Sequence, residues 1–461
     1  MTANKKRIWG WMAFDWASQP YYTLGLTFIF GPYFASVATA YLLGTGLDDD
    51  TARAQAQSIW STGQVFAGLF IAFTAPFLGA YADHSGRKIP WIALFSVIYV
   101  IAAASLWGMM PDSEAVWFYM AVFFIGFVAA ESALNFINAI LPSLGNEKEV
   151  GRISGSGAAF GYWGGVTALV IILLLFAENG NSGRTLIGRA PLFGLNPDQM
   201  EGTRATGPFI ALWYAVFMIP FFMWVRDPAP AQQGKVRLGA VARDLGRHLK
   251  GVAKRKSLRN FLLASMLYRD GVNALYAYGG IYAALVLDWS ITNIGIFGVV
   301  AAIFAAIVTW AGGLADARFG PKPVIITALW AMIGVSVVIV GMSRTALFGI
   351  PLEAESTLPD TIFFICGAII GGAGGAVYAA SRSLMVRHSH PDRPAEAFGL
   401  FALSGKATAF LAPALIALAS YLTGSVQLGY APVLLLFIGG LLLLRWVNKD
   451  GDRAEWSASL Q

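Results

Sequence analysis

Apolar residues in this chain come in long unbroken runs, with polar residues confined mostly to short gaps between them. Runs lie near residues 11–42, 57–80, 89–110, 116–141, 153–177, 207–225, 259–287, 293–314, 323–343, 361–385, 397–422 and 427–447. Each is about 20 residues or longer, which is enough for a helix to cross the hydrocarbon core. The gaps hold Gly, Pro, Asp, Asn and charged residues, the ordinary helix terminators. Short segments alternating apolar and polar positions, the mark of an outer-membrane barrel, are not seen. The pattern predicts an all-α membrane protein with twelve transmembrane helices.

The one long connector, residues 226–258, separates six runs from six. It divides the chain into a six-helix bundle over 1–225, a cytoplasmic linker over 226–258, a second six-helix bundle over 259–447 and a tail over 448–461. Within the linker Leu238, Val241, Leu245, Leu249 and Val252 recur at helical spacing, and Arg237, Arg243, Arg247, Lys250 and Lys254 fill the other positions. That spacing predicts a basic amphipathic helix lying on the inner leaflet.

Composition sharpens this picture. Apolar residues make up 57% of the chain and charged residues 13%, against about 25% charged in soluble domains. Of 32 Lys and Arg, only Arg53, Arg184, Arg189, Arg204 and Arg344 fall in external loops when the N-terminus is placed inside. This asymmetry predicts that both termini are cytoplasmic. The net charge of +6 then reflects topology, and a nucleic-acid surface is excluded because the bases flank spans without clustering among aromatics. Lys5-Lys6-Arg7 precedes an apolar stretch longer than a signal-peptide core, so no cleavable leader is expected. A short N-terminus and short loops point to a bacterial inner membrane. Cys366 is the only cysteine and the four histidines are scattered, so neither a disulfide, a metal centre nor a cofactor is expected. No phosphate-binding Gly-x-x-x-x-Gly-Lys-Ser/Thr loop occurs, which disfavours an ATP-driven pump.

The chemistry lies in charges placed inside the apolar runs: Asp15, Glu131, Arg269, Asp270, Arg382 and Lys406, with Asn135 one turn from Glu131. Intramembrane ionisable groups are costly and mark transport paths or paired sites. Acids and bases balance, which suits a zwitterion or a neutral polar solute. Arg382 is the candidate carboxylate partner because its planar fork engages two oxygens at once. Glu131 or Asp270 is the candidate ammonium partner, with Lys406 keeping the other acid charged. Burial favours the neutral form of an acid, so Asp15, Glu131 and Asp270 are the candidates for carrying a coupling proton. Scaffold readings stand beside these. Arg382 can snorkel toward the inner surface, Asp15 can cap or latch, and Arg269 and Asp270 point about 100° apart on one helix, so one of them can be a scaffold pair. Tyr21, Tyr22, Tyr268, Tyr276 and Tyr378 are further lining candidates.

One loop occurs twice. Gly79-Ala80-Tyr81-Ala82-Asp83-His84-Ser85-Gly86-Arg87-Lys88 and Gly312-Gly313-Leu314-Ala315-Asp316-Ala317-Arg318-Phe319-Gly320-Pro321-Lys322 each join two apolar runs. Gly79 and Gly312 allow close helix approach, while Asp83 and Asp316 can bond a base or a helix N-terminus. Gly79, Asp83, Gly86, Arg87, Gly312, Asp316 and Lys322 are therefore expected to form a gating latch, the first copy the stronger. These loops closely resemble the signature after the second and eighth spans of the major facilitator superfamily. His84 replaces the usual Arg, the second copy has an extra residue before Gly320, and Pro321 stands where Arg is usual. The resemblance implies two six-helix pseudo-repeats, a cavity lined by spans one, four, seven and ten, and transport by rocking one half against the other. Gly155, Gly157, Gly161, Gly164 and Gly165 resemble the superfamily's antiporter motif, with Tyr162 in place of its Pro. Close packing is the expectation for them and for Gly371, Gly372, Gly374 and Gly375.

A narrower resemblance is carried by Ala380-Ser381-Arg382-Ser383-Leu384, Ala397-Phe398-Gly399-Leu400-Phe401 and Ser404-Gly405-Lys406, with Tyr268-Arg269-Asp270-Gly271-Val272, Ala13-Phe14-Asp15-Trp16-Ala17 and Asn138-Ala139-Ile140-Leu141-Pro142. These resemble the autophagy-related vacuole-effluxer-like family, bacterial branch. The resemblance implies a secondary active transporter, not an enzyme, that moves small polar metabolites by alternating access. Neutral amino acids are the leading substrate and proton-coupled efflux the leading mode. The expected partners are a small-molecule substrate, a proton and membrane lipids, with the chain acting as a monomer. The runner-up is export of drugs or lipid-like amphiphiles. A reading from another class is a non-transporting membrane sensor or scaffold.

Overall fold

A computed structural model describes residues 3–179, 182–227, 239, 243, 245–246, 251–289, 291–353 and 356–452. Most of the linker, including the amphipathic stretch expected there, and residues 453–461 of the tail lie outside the described residues. Among the described residues, 11 helices are long and apolar enough to cross a membrane. The seventh span, Lys256–Val286, is a further helix of 31 residues whose apolar run is diluted by Lys256, Arg259, Arg269 and Asp270. Among the described residues the fold is all-α apart from a hairpin of two-residue strands, Ala346–Leu347 with Ile350–Pro351, before the tenth span. Large apolar side chains such as Phe73, Phe66 and Leu285 are exposed on the helices, as expected of a surface whose solvent is lipid.

Spans one and eleven are interrupted, which continuous apolar runs do not reveal. Span one comprises Ala3–Pro20, a π-helical segment Tyr21–Phe28 and Phe30–Gly44. Pro20 has no N–H to offer the Trp16 carbonyl four residues back; that carbonyl instead accepts the Trp213 indole N–H at 3.1 Å. Span eleven comprises Pro394–Lys406 and Leu411–Thr423, joined by tight turns such as Leu411 N–H to Thr408 O at 2.7 Å. Pro413 supplies the reason, since its ring clashes with the Ala409 carbonyl and it cannot donate to it.

The chain forms two compact units, residues 1–71, 87–137 and 160–228, and residues 72–86, 138–159 and 229–461. In the first, spans one, three (Ile89–Ser105) and six (Glu201–Trp224) pack together. Its core is aromatic: Tyr99 stacks on Tyr214 at 4.0 Å and tilts against Tyr21 at 4.9 Å. In the second, span ten (Leu358–His388) packs on span eight (Ile291–Phe319) and span nine (Pro321–Gly341), and span seven packs on span twelve (Ala431–Leu444). Residues 72–86 and 138–159, at ends of spans two, four and five, belong to this second unit.

Candidate functional site

The first unit holds Asp15, Glu131 and Asn135 on helices one and four. Asp15 and Asn135 are buried. Span five reaches span one through its glycines: a Cβ at Gly161 would lie 3.0 Å from the Asp15 carbonyl oxygen, and one at Gly164 would lie 2.7 Å from that of Trp16. Those motif glycines are thus contact points between helices. Tyr22, carried by the π-helical segment, donates its hydroxyl to Glu131 Oε1 at 3.2 Å. A π turn of this kind redirects side chains and is frequent at functional sites.

The second unit holds Arg269, Asp270, Arg382 and Lys406. Adjacent residues of span seven hold the two ends of the break in span eleven. Arg269 Nη1 donates to the Phe401 carbonyl at 3.0 Å, near the C-terminal end of Pro394–Lys406. Asp270 Oδ2 accepts the Ala412 N–H at 3.0 Å, in the first turn of Leu411–Thr423. Each charge meets the helix end whose dipole it complements, a cation at the carbonyl end and an anion at the N–H end. Asp270 is only 4% exposed, so a low-dielectric setting strengthens that bond. The Arg269 guanidinium also lies 4.4 Å from the Phe401 ring centre and 5.5 Å from that of Tyr378. It rests on Gly405, where any Cβ would overlap it. Lys406, half-buried, is the last residue before the break.

Arg382 goes elsewhere. Buried in span ten, it donates from Nε to Ser154 Oγ at 2.9 Å, from Nη2 to the Ser154 carbonyl at 2.6 Å and from Nη1 to Asn138 Oδ1 at 3.3 Å. Ser154 Oγ in turn donates to the Ala379 carbonyl at 2.8 Å. Arg382 therefore fastens spans four and five, at Asn138 and Ser154, to span ten. The structure does not bring it together with Asp270 or Arg269, which have the separate partners described above. Ser154 and Asn138 are partners that reasoning from charge alone misses, because both are neutral.

The first latch loop joins span two to span eleven. Asp83 Oδ2 accepts the Glu396 N–H at 2.8 Å, in the first turn of a helix whose own N-cap, Arg393, contributes no side-chain cap. A Cβ at Gly79 would overlap the Ala395 carbonyl, so only glycine permits the approach. Gly86 turns the chain with φ +65°, and Arg87, exposed, belongs to the first unit. The second loop is built differently. Asp316 is 1% exposed, faces Gly151 of span five, and has Ser383 and Arg387 as polar neighbours without a hydrogen bond to either carboxylate oxygen. Gly313 meets Gly155, a Cβ at the former lying 2.8 Å from the Cα of the latter. Gly312 packs on Ala376. Lys322 donates to the Val447 carbonyl at 2.7 Å, so it closes on the end of span twelve. A further capping acid, Asp227, accepts from the Lys88 and Ile89 N–H groups at 2.9–3.0 Å and caps span three. Among the described residues no cluster of His, Cys, Asp or Glu could hold a metal ion.

Comparison with known proteins agrees with this architecture. A family described as vacuole effluxer Atg22 like matches residues 3–457. The chain is 24% identical to the uncharacterized MFS-type transporter YxiO of Bacillus subtilis, over 95% of this chain and 94% of that protein. It is 22% identical to autophagy-related protein 22 of Cryptococcus neoformans over 66% of this chain, a match that spans 51% of the fungal protein. Among solved structures, the MFS transporter FucP in its outward conformation superposes with TM-score 0.67 at 15% identity, covering 96% of this chain and 98% of that one. The human organic anion transporter MFSD10 superposes with TM-score 0.69 at 16% identity, covering 96% and 100%. These likenesses establish the major facilitator fold.

Proposed function

The chain belongs to the Atg22-like vacuole effluxer family and is an MFS-type transporter, and on that premise we propose that it moves small polar metabolites, neutral amino acids foremost, by alternating access with proton-coupled efflux. The observation that carries this reading is the placement of ionisable side chains at helix interruptions inside the spans. Tyr22 and Glu131 meet at the π segment of span one, and Arg269 and Asp270 hold the break in span eleven. Discontinuous helices with charged groups at their ends are how membrane transporters build polar sites and the joints that move. Glu131, Asp15 and Asp270 are the acids assigned to proton coupling. The latch contacts of Asp83 and of Arg382 belong to the inner gate, which breaks when the site faces the cytoplasm. A multi-pass protein of the bacterial inner membrane, with both termini cytoplasmic, fits the distribution of Lys and Arg.

The test is flux in sealed proteoliposomes loaded with labelled glycine, L-leucine or L-glutamine, with and without an imposed pH gradient. Substrate exchange in the parent, and gradient-driven movement lost in Glu131→Gln while exchange persists, is the expected result. Binding without flux would assign the chain to the sensor class. Flux confined to amphiphilic drugs would replace the substrate assignment and leave the transporter reading in place.

A further inference from the structure

Arg269 is a poorly satisfied charge in the second unit. A guanidinium offers five N–H donors, and among the described residues the one acceptor Arg269 has is the Phe401 carbonyl. Its Nε is buried with no hydrogen-bond partner, and among the described residues no carboxylate lies within ion-pair distance of it. The neighbouring acid does not serve: Asp270 makes no ion pair with Arg269 and accepts the Ala412 N–H. What surrounds the guanidinium is aromatic: the Phe401 and Tyr378 rings, with the Tyr378 hydroxyl donating to Asn273 Oδ1 at 2.6 Å. Asn273 is exposed on the unit's surface beside this group. An arginine inside a membrane span, half-buried and missing its counter-charge, calls for an anion from outside the chain.

We propose that Arg269, framed by Phe401, Tyr378 and Asn273, is the binding site for the carboxylate of a small substrate. A carboxylate is favoured over a neutral polar group because it supplies the missing charge and matches the planar fork with two oxygens. A single guanidinium with two aromatic faces suits the planar carboxylate of a small acid. The proposal transfers the carboxylate from Arg382, whose donors are engaged by Ser154 and Asn138, to Arg269. It also couples binding to the break in span eleven, because the same guanidinium holds the Phe401 carbonyl. The assignment rests on the transport reading for its place in a cycle.

The experiment uses the full chain purified in detergent and reads saturable thermal stabilisation. Isovalerate, glycine, L-leucine and L-glutamine are the carboxylate probes, and isovaleramide, glycinamide, L-leucinamide and L-glutamine amide are their matched carboxamides. At least one acid should stabilise the parent while its amide does not. Arg269→Lys, which keeps the charge but loses the fork, should weaken that acid ten- to hundredfold, and Arg269→Gln should abolish its effect. Equal stabilisation by acid and amide, no stabilisation by any acid, or unchanged affinity in Arg269→Lys and Arg269→Gln overturns the proposal. The acid–amide comparison needs no substitution, so a poorly folding variant cannot hide the answer. Carboxylate binding without flux in sealed vesicles would sink the transport reading and leave this site standing; flux limited to solutes lacking a carboxylate would do the reverse.

Discussion

Where Gly155 meets Gly313, single atoms decide whether two helices can touch. A Cβ at Gly313 would lie 2.8 Å from the Gly155 Cα, well inside van der Waals contact, and backbone is not free to yield. Gly155→Val should therefore weaken this contact by about 1–3 kcal/mol, a shift of roughly tenfold or more in any balance that depends on it. A cysteine introduced at Ala395, fully buried against Gly79, reports that balance in a Cys366→Ser background. Its labelling in inside-out vesicles should rise in Gly155→Val; unchanged labelling would show that the glycine contact is not part of a gate. Asp83 acts through charge. Its carboxylate accepts the Glu396 N–H in the first turn of a helix that begins with Pro394, so Asp83→Asn keeps the shape but loses the favourable anion–dipole interaction, about 0.3–2 kcal/mol. Transport should fall without loss of membrane insertion, and normal transport at every substrate concentration would remove Asp83 from the gate. The loop motif made this residue visible in the sequence. What the motif could not show was the partner, a backbone N–H in a distant span. Arg382 illustrates the converse. Its charge stood out in an apolar run, yet its role is set by Ser154 and Asn138, two uncharged residues that no charge pattern singles out.

The same device recurs at the scale of whole helices. Spans three and eleven start without capping side chains of their own, and an acid from another helix or helix end serves each: Asp227 for Ile89–Ser105, Asp83 for Pro394–Lys406 and Asp270 for Leu411–Thr423. Loops only a few residues long leave little room for a local cap, and orphan N–H groups near a membrane core are costly. Asp270→Leu removes an acceptor and a charge from a helix start deep in the second unit. A cap of this kind contributes about 0.5–2 kcal/mol, so hydrogen exchange at the amides of residues 411–416 should speed up several-fold, with span eight unchanged. Equal exchange in parent and variant would show that the second half of span eleven, Leu411–Thr423, is held by packing alone. Apolar run lengths were sufficient to place the spans, because bilayer thickness imposes them. They did not reveal the breaks in spans one and eleven, because an interrupted span is as apolar as a continuous one. Pro20 and Pro413 carried the signal: each deletes one backbone donor, and at Pro20 the freed carbonyl is taken by Trp213. Proline alone remains an ambiguous sign, since Pro76 lies inside the unbroken helix Asp49–Ser85.

For the molecule as a whole, orientation is the property on which every mechanistic statement depends, and it rests on charge. Arg255, Arg259, Arg387 and Arg393 sit at the ends of spans seven, ten and eleven that share a side with the linker and both latch loops. Residues 448–452 dock on that same side. Asn448 N–H donates to Ser257 Oγ at 2.8 Å, Ser257 Oγ lies 2.8 Å from His388 Nε2, and Asp452 pairs with Arg255. Gly451 is essential to this docking, having φ +68° and a position where a Cβ would overlap the Arg387 carbonyl. Residues 448–452 and the bases they meet must therefore lie on one side of the membrane, whichever side that is. The bias of Lys and Arg toward that side predicts that it is the cytoplasm. In intact spheroplasts of a Cys366→Ser background, a membrane-impermeant thiol reagent should label Ser356→Cys, in the loop before span ten, and leave Lys449→Cys unlabelled. Permeabilisation should expose both. Labelling of Lys449→Cys in intact cells with Ser356→Cys protected would invert the topology. The latch would then become an external gate and the direction of transport would have to be reassigned, while the helix packing and the Arg269 site stayed as described. Labelling of both positions in intact cells would mean leaky spheroplasts, a condition that an unlabelled cytosolic thiol protein in the same sample detects.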